Sequence, residues 1–208
     1  MFGQSKQPYP SLRIFNNPVL ESLTHVNPIT PLIVWTPVIA GLIYYSITEQ
    51  GLGLAALSIW AVLALITWTL TEYLLHRFLF HFPAKSKTGK YLVFLFHGLH
   101  HDDPNDPTRL VFPPVPAFLI FLMLYTAFSN LIPESGINAF MGFFMVGYLC
   151  YDYIHYATHH FAMKGKWARK IKKHHLQHHF QHKPAKYGVS SPLWDIVFGS
   201  VNAHKEQK

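Results

Sequence analysis

Four stretches of the chain are nearly continuous runs of apolar residues, separated by polar or proline-rich segments. The runs cover residues 29–47, 52–75, 113–132 and 137–154. Each approaches the roughly 20 residues that a helix needs to cross the hydrocarbon core of a membrane. Pro31 and Pro37 fall in the first run, but membrane helices tolerate proline. The pattern therefore predicts four membrane-spanning helices.

The short polar segments "TEQG" and "PESG" join these spans in pairs, which predicts two tight helical hairpins. Neither segment contains a basic residue. All 17 Lys and Arg residues lie in residues 1–28, 76–112 or 155–208, and the positive-inside rule makes these regions cytoplasmic. Four crossings also return the chain to its starting side. The host decides the membrane: the endoplasmic reticulum in a eukaryote, the inner membrane in a bacterium.

Composition supports a membrane protein. Half of the residues are hydrophobic and 13% are charged, against roughly 25% charged in an average soluble protein. A soluble all-α bundle would leave the segregation of charge unexplained. The net charge of +7 accordingly fits topology and lipid headgroups, and we expect no nucleic-acid partner.

We interpret residues 1–208 as a single all-α domain. It comprises a cytosolic or interfacial lead-in without signal-peptide layout, hairpin one, a cytosolic histidine region, hairpin two and a histidine-rich helical cap. Their respective ranges are 1–28, 29–75, 76–112, 113–154 and 155–208. The single cysteine, Cys150, excludes an internal disulfide.

Most of the 15 histidines lie beside the spans, in four clusters at metal-ligand spacing. Residues three or four apart share a helix face, so the HxxHH and HxxxH patterns each present imidazoles together. His76 and His81 are five apart and diverge by about 140° on an ideal helix. They need a distorted helix end, or they face different metals. The ten box positions are His76, His81, His97, His100, His101, His155, His159, His175, His178 and His179.

Ten imidazoles are too many for one ion and suit two metals with about five nitrogens each. Imidazole binds zinc, copper, iron and nickel alike. A structural zinc site closes at four ligands and usually includes cysteine, which this chain cannot supply in number. An all-nitrogen two-metal site beside a bilayer points to iron and dioxygen chemistry, although zinc could occupy it in purified protein.

The four boxes in this order resemble the fatty acid hydroxylase/sterol desaturase superfamily. Their flanks, "EYLLHRFLFH", "FHGLHHDDPNDPTRLVFPPVPA", "GYLCYDYIHYATHH" and "HHLQHHFQHKPAKYGVSSPLWDIVFG", resemble the fatty acid 2-hydroxylases. The resemblance implies a monooxygenase with two metal ions, expected to be iron, that inserts oxygen from O2 at C2 of a long acyl chain. It implies the ten box histidines as ligands, and it leaves His160, His174 and His182 outside the boxes. No "HPGG" haem-binding stretch precedes the first span, so we expect electrons from a separate donor, such as a cytochrome b5 or a ferredoxin-like protein.

Two carboxylates are candidates for orienting the ligands by hydrogen bonds. Asp152 precedes His155 by three residues, and Glu72 precedes His76 by four. For Glu72 a solvated helix end is an equal alternative. We expect the acyl chain in an apolar slot between the spans, with tyrosines of residues 148–156 nearby and "RLVFPPVPA" at its mouth.

Other functions remain open at this point. A sterol or carotenoid oxygenase of the same superfamily is the nearest alternative. A non-catalytic membrane metal-binding protein or a transporter is more distant, because the span interiors are almost free of the ionisable residues that line a transport path.

Overall fold

A computed structural model describes residues 11–181 and 184–202, and every regular element within them is a helix. This confirms the all-α prediction. Two π-helical turns, π1 (Leu75–Phe80) and π2 (Phe94–Gly98), continue the third and fourth α-helices. In chain order the α-helices are α1 (Pro18–Ser22), α2 (Thr30–Thr48), α3 (Leu54–Leu74), α4 (Lys87–Val93), α5 (Leu99–Asp102), α6 (Pro114–Ser129), α7 (Glu134–His160), α8 (Lys166–Phe180) and α9 (Leu193–Val197).

Three of the predicted spans are long and apolar enough to cross a membrane: Thr30–Thr48, Leu54–Phe80 and Glu134–His160. The remaining predicted span, residues 113–132, corresponds to α6, which has only 16 residues. At 1.5 Å per residue this helix is about 24 Å long. Pro113 precedes α6 in an extended conformation, and Asn130 ends it before Pro133. Proline at both borders therefore limits this helix to a length below that of a hydrocarbon core.

Helix α7 lies at the centre of the bundle, packed against α2, α3 and α6. Its glycines admit large aromatic side chains from α3. A Cβ atom on Gly147 would lie 2.6 Å from Cγ of Trp68, and one on Gly136 would lie 2.2 Å from Cζ2 of Trp60. Trp68 also meets Phe144 edge to face, with ring centroids 5.1 Å apart. Close approach at glycine thus fixes the crossing of α3 and α7.

The tips of the two hairpins lie together. The amide Nε2 of Gln50, in the first turn, donates to the carbonyl of Glu134, in the second, at 2.5 Å. The opposite ends of α2, α3, α6 and α7 therefore meet at the other end of the bundle. The sequence segments that follow both hairpins begin at this second end, which is where the histidines lie.

The lead-in packs against the segment that precedes α6. Arg109, which is buried, donates to Glu21 Oε1 at 2.5 Å and to the carbonyl of Leu12. The backbone N–H of Val26 donates to the carbonyl of Thr108 at 2.7 Å. Residues 11–26 thus form a strap, hereafter the N-terminal strap, that is tied to residues 106–111.

Candidate metal centre

The π1 turn resolves the five-residue spacing of the first histidine box. The N–H of His81 donates to the carbonyl of His76 at 3.2 Å, which is the i→i+5 bond of a π-turn. The wider turn brings residues five apart onto one face, and the two ring centroids are 5.1 Å apart. Of the two alternatives that the sequence left open, the distorted helix end is therefore the one observed.

The structure gathers all ten box histidines into two groups of five, in which one nitrogen of each residue lies within 4.8 Å of the others. We call them group A and group B. Group A contains His76, His81, His97, His101 and His178. Group B contains His100, His155, His159, His175 and His179.

Each HxxHH box is divided between the groups, contrary to the three-imidazole face expected from spacing. His97 and His101, four apart, face group A, while His100 faces group B. The box on α8 divides in the reverse sense, with His178 alone in group A. Adjacent helical positions point about 100° apart, so consecutive histidines reach two different centres.

The distances between ring nitrogens fit a bound cation. In group A, Nε2 of His76 is 2.9 Å from Nε2 of His97, and in group B the His155–His100 pair is also 2.9 Å apart. Five further pairs of Nε2 atoms within the two groups are 2.8–3.2 Å apart. Two nitrogens bound at right angles to one metal at 2.0–2.1 Å would be ~2.8–3.0 Å apart. The donor geometry therefore fits metal coordination through Nε2.

Residues 185–190, which we call the C-terminal loop, orient two of these rings through backbone carbonyls. Nδ1 of His178 donates to the carbonyl of Ala185 at 2.7 Å, and Nδ1 of His76 donates to that of Tyr187. A neutral imidazole with its proton on Nδ1 has a lone pair on Nε2. The loop therefore directs both lone pairs into group A, as second-sphere partners do in metal sites.

Two buried carboxylates hold this loop in place. Glu72 Oε1 accepts from the N–H groups of Val189 and Ser190 at 2.7 and 2.8 Å. Asp195 accepts from the N–H groups of Tyr187 and Gly188, both at 2.8 Å. Glu72 is thus buried rather than solvated, and it acts on His76 through the loop instead of directly.

The sequence predicts a hydrogen bond between Asp152 and His155, which the described residues do not make. Asp152 Oδ1 accepts from the backbone N–H of Phe112 at 3.1 Å, and Oδ2 has no hydrogen-bond partner among the described residues. Asp152 is buried on α7 opposite the segment that enters α6. Its position serves that segment and not the ring.

The other histidines among the described residues, His25, His160 and His174, lie outside both groups. His160 packs on Tyr156 with ring centroids 4.5 Å apart, and His174 Nε2 is 2.9 Å from Asp195 Oδ2. His182 lies outside the described residues. His25, which spacing did not single out, has Nδ1 2.6 Å from the hydroxyl of Thr108.

Histidine spacing did not single out the C-terminal loop or Asp195. Ala185 and Tyr187 act through their backbone carbonyls, which every residue type has, so the sequence does not distinguish them. Asp195 did leave a signal, because it is the first acidic residue after Asp152, and it is fully buried.

Burial and mutual proximity keep the imidazoles neutral. Burial, and then the neighbouring rings, place the pKa of His97, His100 and His175 well below the usual value. The same causes lower the pKa of His81 to about 4 and that of His101 to about 3. Burial also lowers the pKa of His178 to about 4. Neutral rings are the form that binds metal.

A cavity adjoins both groups. His97 of group A and His100 and His155 of group B line it, together with Asp152 and Arg109. Ile14, Phe15 and Leu23 of the N-terminal strap form part of its wall. A second, apolar cavity between α3, α6 and α7 shares the side chains of Phe80, Phe112 and Tyr151 with the first.

The tyrosines near the end of α7 divide by position. Tyr148 and Tyr151 line the apolar cavity. Tyr153 instead donates to the carbonyl of Pro28 at 2.6 Å, and Tyr156 packs with Leu110 and Val111. Residues 109–113 border the metal-side cavity, at the place where the sequence predicts the mouth of a slot.

Comparison with known proteins identifies relatives of this arrangement. The model of the fatty acid hydroxylase family matches residues 61–200. The chain is 38% identical over 168 residues to dihydroceramide fatty acyl 2-hydroxylase FAH2 of Arabidopsis thaliana, covering 81% of this chain and 70% of that protein. It is 35% identical over 215 residues to human fatty acid 2-hydroxylase, covering 93% and 58% respectively. The solved hydroxylase domain of scs7p superposes with a TM-score of 0.82 at 35% identity, covering 90% of this chain and 70% of that one.

Proposed function

The chain belongs to the fatty acid hydroxylase family, and on this premise we propose that it is a di-metal membrane monooxygenase that hydroxylates C2 of long acyl chains. The proposed substrate class is the acyl chain of a fatty acid or of a sphingolipid such as dihydroceramide. The names of the relatives contain both substrates. The supporting observation is the juxtaposition of two five-imidazole groups with a cavity that shares three lining side chains with an apolar slot.

The ten box histidines are the proposed ligands, five to each metal, bound through Nε2. Iron is the proposed working metal, because imidazole suits iron as well as zinc and zinc is redox-inert. Two bound iron ions would supply the activation of O2 that attack on an unactivated C–H bond requires. The C-terminal loop would keep Nδ1 of His76 and His178 protonated, so that their Nε2 lone pairs stay available.

The protein would position C2 by burying the acyl chain. Phe80, Phe112 and Tyr151 border both cavities, so a chain lying in the apolar slot would pass them before it reaches the histidines. Asp152 would act as a positioning residue, because it holds the backbone of Phe112. The apolar walls would also exclude water from the reacting carbon.

We place the metal centre on the cytoplasmic side of the membrane. The support is the distribution of Lys and Arg, none of which lies in the hairpin tips. A separate protein, of the cytochrome b5 or ferredoxin type, would supply the electrons.

The test is lipid mass spectrometry of cells that express the wild type, His178→Ala or His182→Ala. We expect lipids with a 2-hydroxyacyl group in cells with the wild type and with the matched control His182→Ala, which changes a histidine outside the boxes. His178→Ala should produce none. Hydroxylated sterols or carotenoids in place of 2-hydroxyacyl lipids would contradict the proposal, and so would metal analysis that finds one ion or none per chain.

A further inference from the structure

Helix α8 carries two opposed faces with different chemistry. His175, His178 and His179 on one face belong to the metal groups. On an ideal helix of 100° per residue, Lys166, Arg169, Lys170 and Lys173 lie centred about 180° from His175. All four are exposed. We call them the α8 basic face.

No carboxylate of the described residues pairs with this face. The sequence has no Asp or Glu between Asp152 and Asp195. Within residues 11–181 and 184–202, none of the four basic side chains forms an ion pair. Concentrated charge of one sign attracts an oppositely charged partner and raises its association rate.

The α8 basic face points away from the spans. Group A joins α8 to π1 at the end of α3, and group B joins it to the end of α7. Since the inner face of α8 meets the span ends, its outer face is turned to the opposite side. That direction favours a soluble protein over lipid headgroups.

Aromatic side chains accompany the charges. Phe180 is 71% exposed and lines the same shallow groove along α8 as Arg169 and Lys173. Trp167 is also 71% exposed, and Nζ of Lys170 lies 5.2 Å from its ring centroid. Aromatic side chains and arginine are enriched in the energetically important part of protein interfaces, and lysines around them supply long-range attraction to an acidic partner.

We propose that the α8 basic face docks an acidic one-electron donor protein and that electrons pass through α8 to the metal ligands. The inference depends on the proposed function, whose turnover is R–H + O2 + 2 e⁻ + 2 H⁺ → R–OH + H2O. Two donor molecules are each oxidised by one electron, one oxygen atom enters the C–H bond, and the other leaves as water. The path from this face to the ligands is about one helix diameter, 10–12 Å.

The test uses the full chain in nanodiscs of neutral phosphatidylcholine, with the soluble haem domain of cytochrome b5 and its reductase as the probe. The test variant is Lys166→Glu/Arg169→Glu/Lys173→Glu. The matched control, Lys85→Glu/Lys87→Glu/Lys90→Glu, makes the same charge change on exposed residues elsewhere. Binding of the haem domain is measured without lipid substrate, at low and high salt, and hydroxylation is measured separately.

We expect the test variant to raise Kd and KM for the haem domain by ~10-fold or more and to lose their salt dependence. Its kcat at saturating donor and its metal content should stay unchanged, as should all parameters of the control. If the glutamate variant does not fold, Lys166→Gln/Arg169→Gln/Lys173→Gln should give a smaller rise of ~3-fold, because it removes attraction without adding repulsion.

Two results would overturn the docking site: an unchanged Kd for the haem domain in the folded test variant, or an equal rise of Kd in the control. A third is a test variant that still binds the haem domain with unchanged Kd but no longer binds vesicles of phosphatidylserine, because the face would then bind lipid headgroups. Failure of the proposed function gives a different result. In that case the wild type binds the haem domain through α8 yet forms no hydroxylated lipid.

Discussion

Glu72→Ala should weaken one metal site and spare the other. Glu72 makes no hydrogen bond to a histidine among the described residues. It accepts from the N–H groups of Val189 and Ser190, and the same loop accepts from Nδ1 of His76 through Tyr187. Removing the carboxylate leaves two N–H groups without an acceptor, at ~1–3 kcal/mol each. We therefore expect a local cost of ~2–6 kcal/mol, enough to displace the loop.

The displaced loop would release His76 and His178 from their fixed orientations. Loss of such a partner typically lowers metal affinity by about 10–100-fold. Among the described residues, no group B imidazole donates a hydrogen bond to this loop, so the metal affinity of group B should change little. Under limiting metal, Glu72→Ala should therefore hold about one ion per chain where the wild type holds two.

The assay is metal titration of the detergent-solubilised protein, with ion content measured after gel filtration. Glu72→Gln is the rescue variant, because its amide oxygen still accepts from both N–H groups. Glu49→Ala is the control, since Glu49 is exposed. Two tightly held ions in Glu72→Ala would refute the claim that this loop orients group A. Equal loss of metal from both groups in a folded protein would refute the claim that the loop acts on group A alone.

Three further outcomes follow from the geometry. Gly147→Ala should lower the free energy of unfolding by ~1–3 kcal/mol through overpacking against Trp68. Gly41→Ala, which meets nothing within 4 Å, should be neutral or stabilising in thermal unfolding. His100→Ala and His101→Ala should each deplete a different ion, seen as two distinct metal spectra; identical spectra would contradict the division of the box. Finally, the metal-free protein should lose thermal stability as pH falls below about 6.5. The pKa values of His81, His101 and His178 are lowered to about 3–4, so the unfolded chain binds more protons than the folded one over this range. A Tm that is constant between pH 7 and 5 would contradict this.

Much of the centre could be predicted from the sequence, because its histidines are side chains at helical spacing. All ten box histidines lie in the two groups. Their assignment to a group could not be predicted, because it depends on tertiary packing. For His100 and His101 it depends on which side of one short helix faces group A and which faces group B. The five-residue spacing of His76 and His81 signalled a distortion, and the π1 turn is its form.

The other differences have physical causes as well. A hydropathy pattern includes apolar residues on both sides of a proline, so the predicted span of residues 113–132 is longer than α6 (Pro114–Ser129). The partners of Asp152 and Glu72 are backbone N–H groups 40 and 117 residues away. Spacing within one helix pointed instead to the nearest histidine, and it contains no information on such remote contacts.

The division of both HxxHH boxes has a consequence for the distance between metal ions bound in group A and group B. His100 and His101 are neighbours in the chain, and so are His178 and His179, yet the members of each pair face different centres. Neighbouring Cα atoms are held 3.8 Å apart by covalent bonds. Two such pairs would keep the intermetallic separation nearly constant even when the surrounding helices move or the lining of the slot changes. Substrate preference could then evolve at the cavity walls while the dinuclear unit keeps its dimensions.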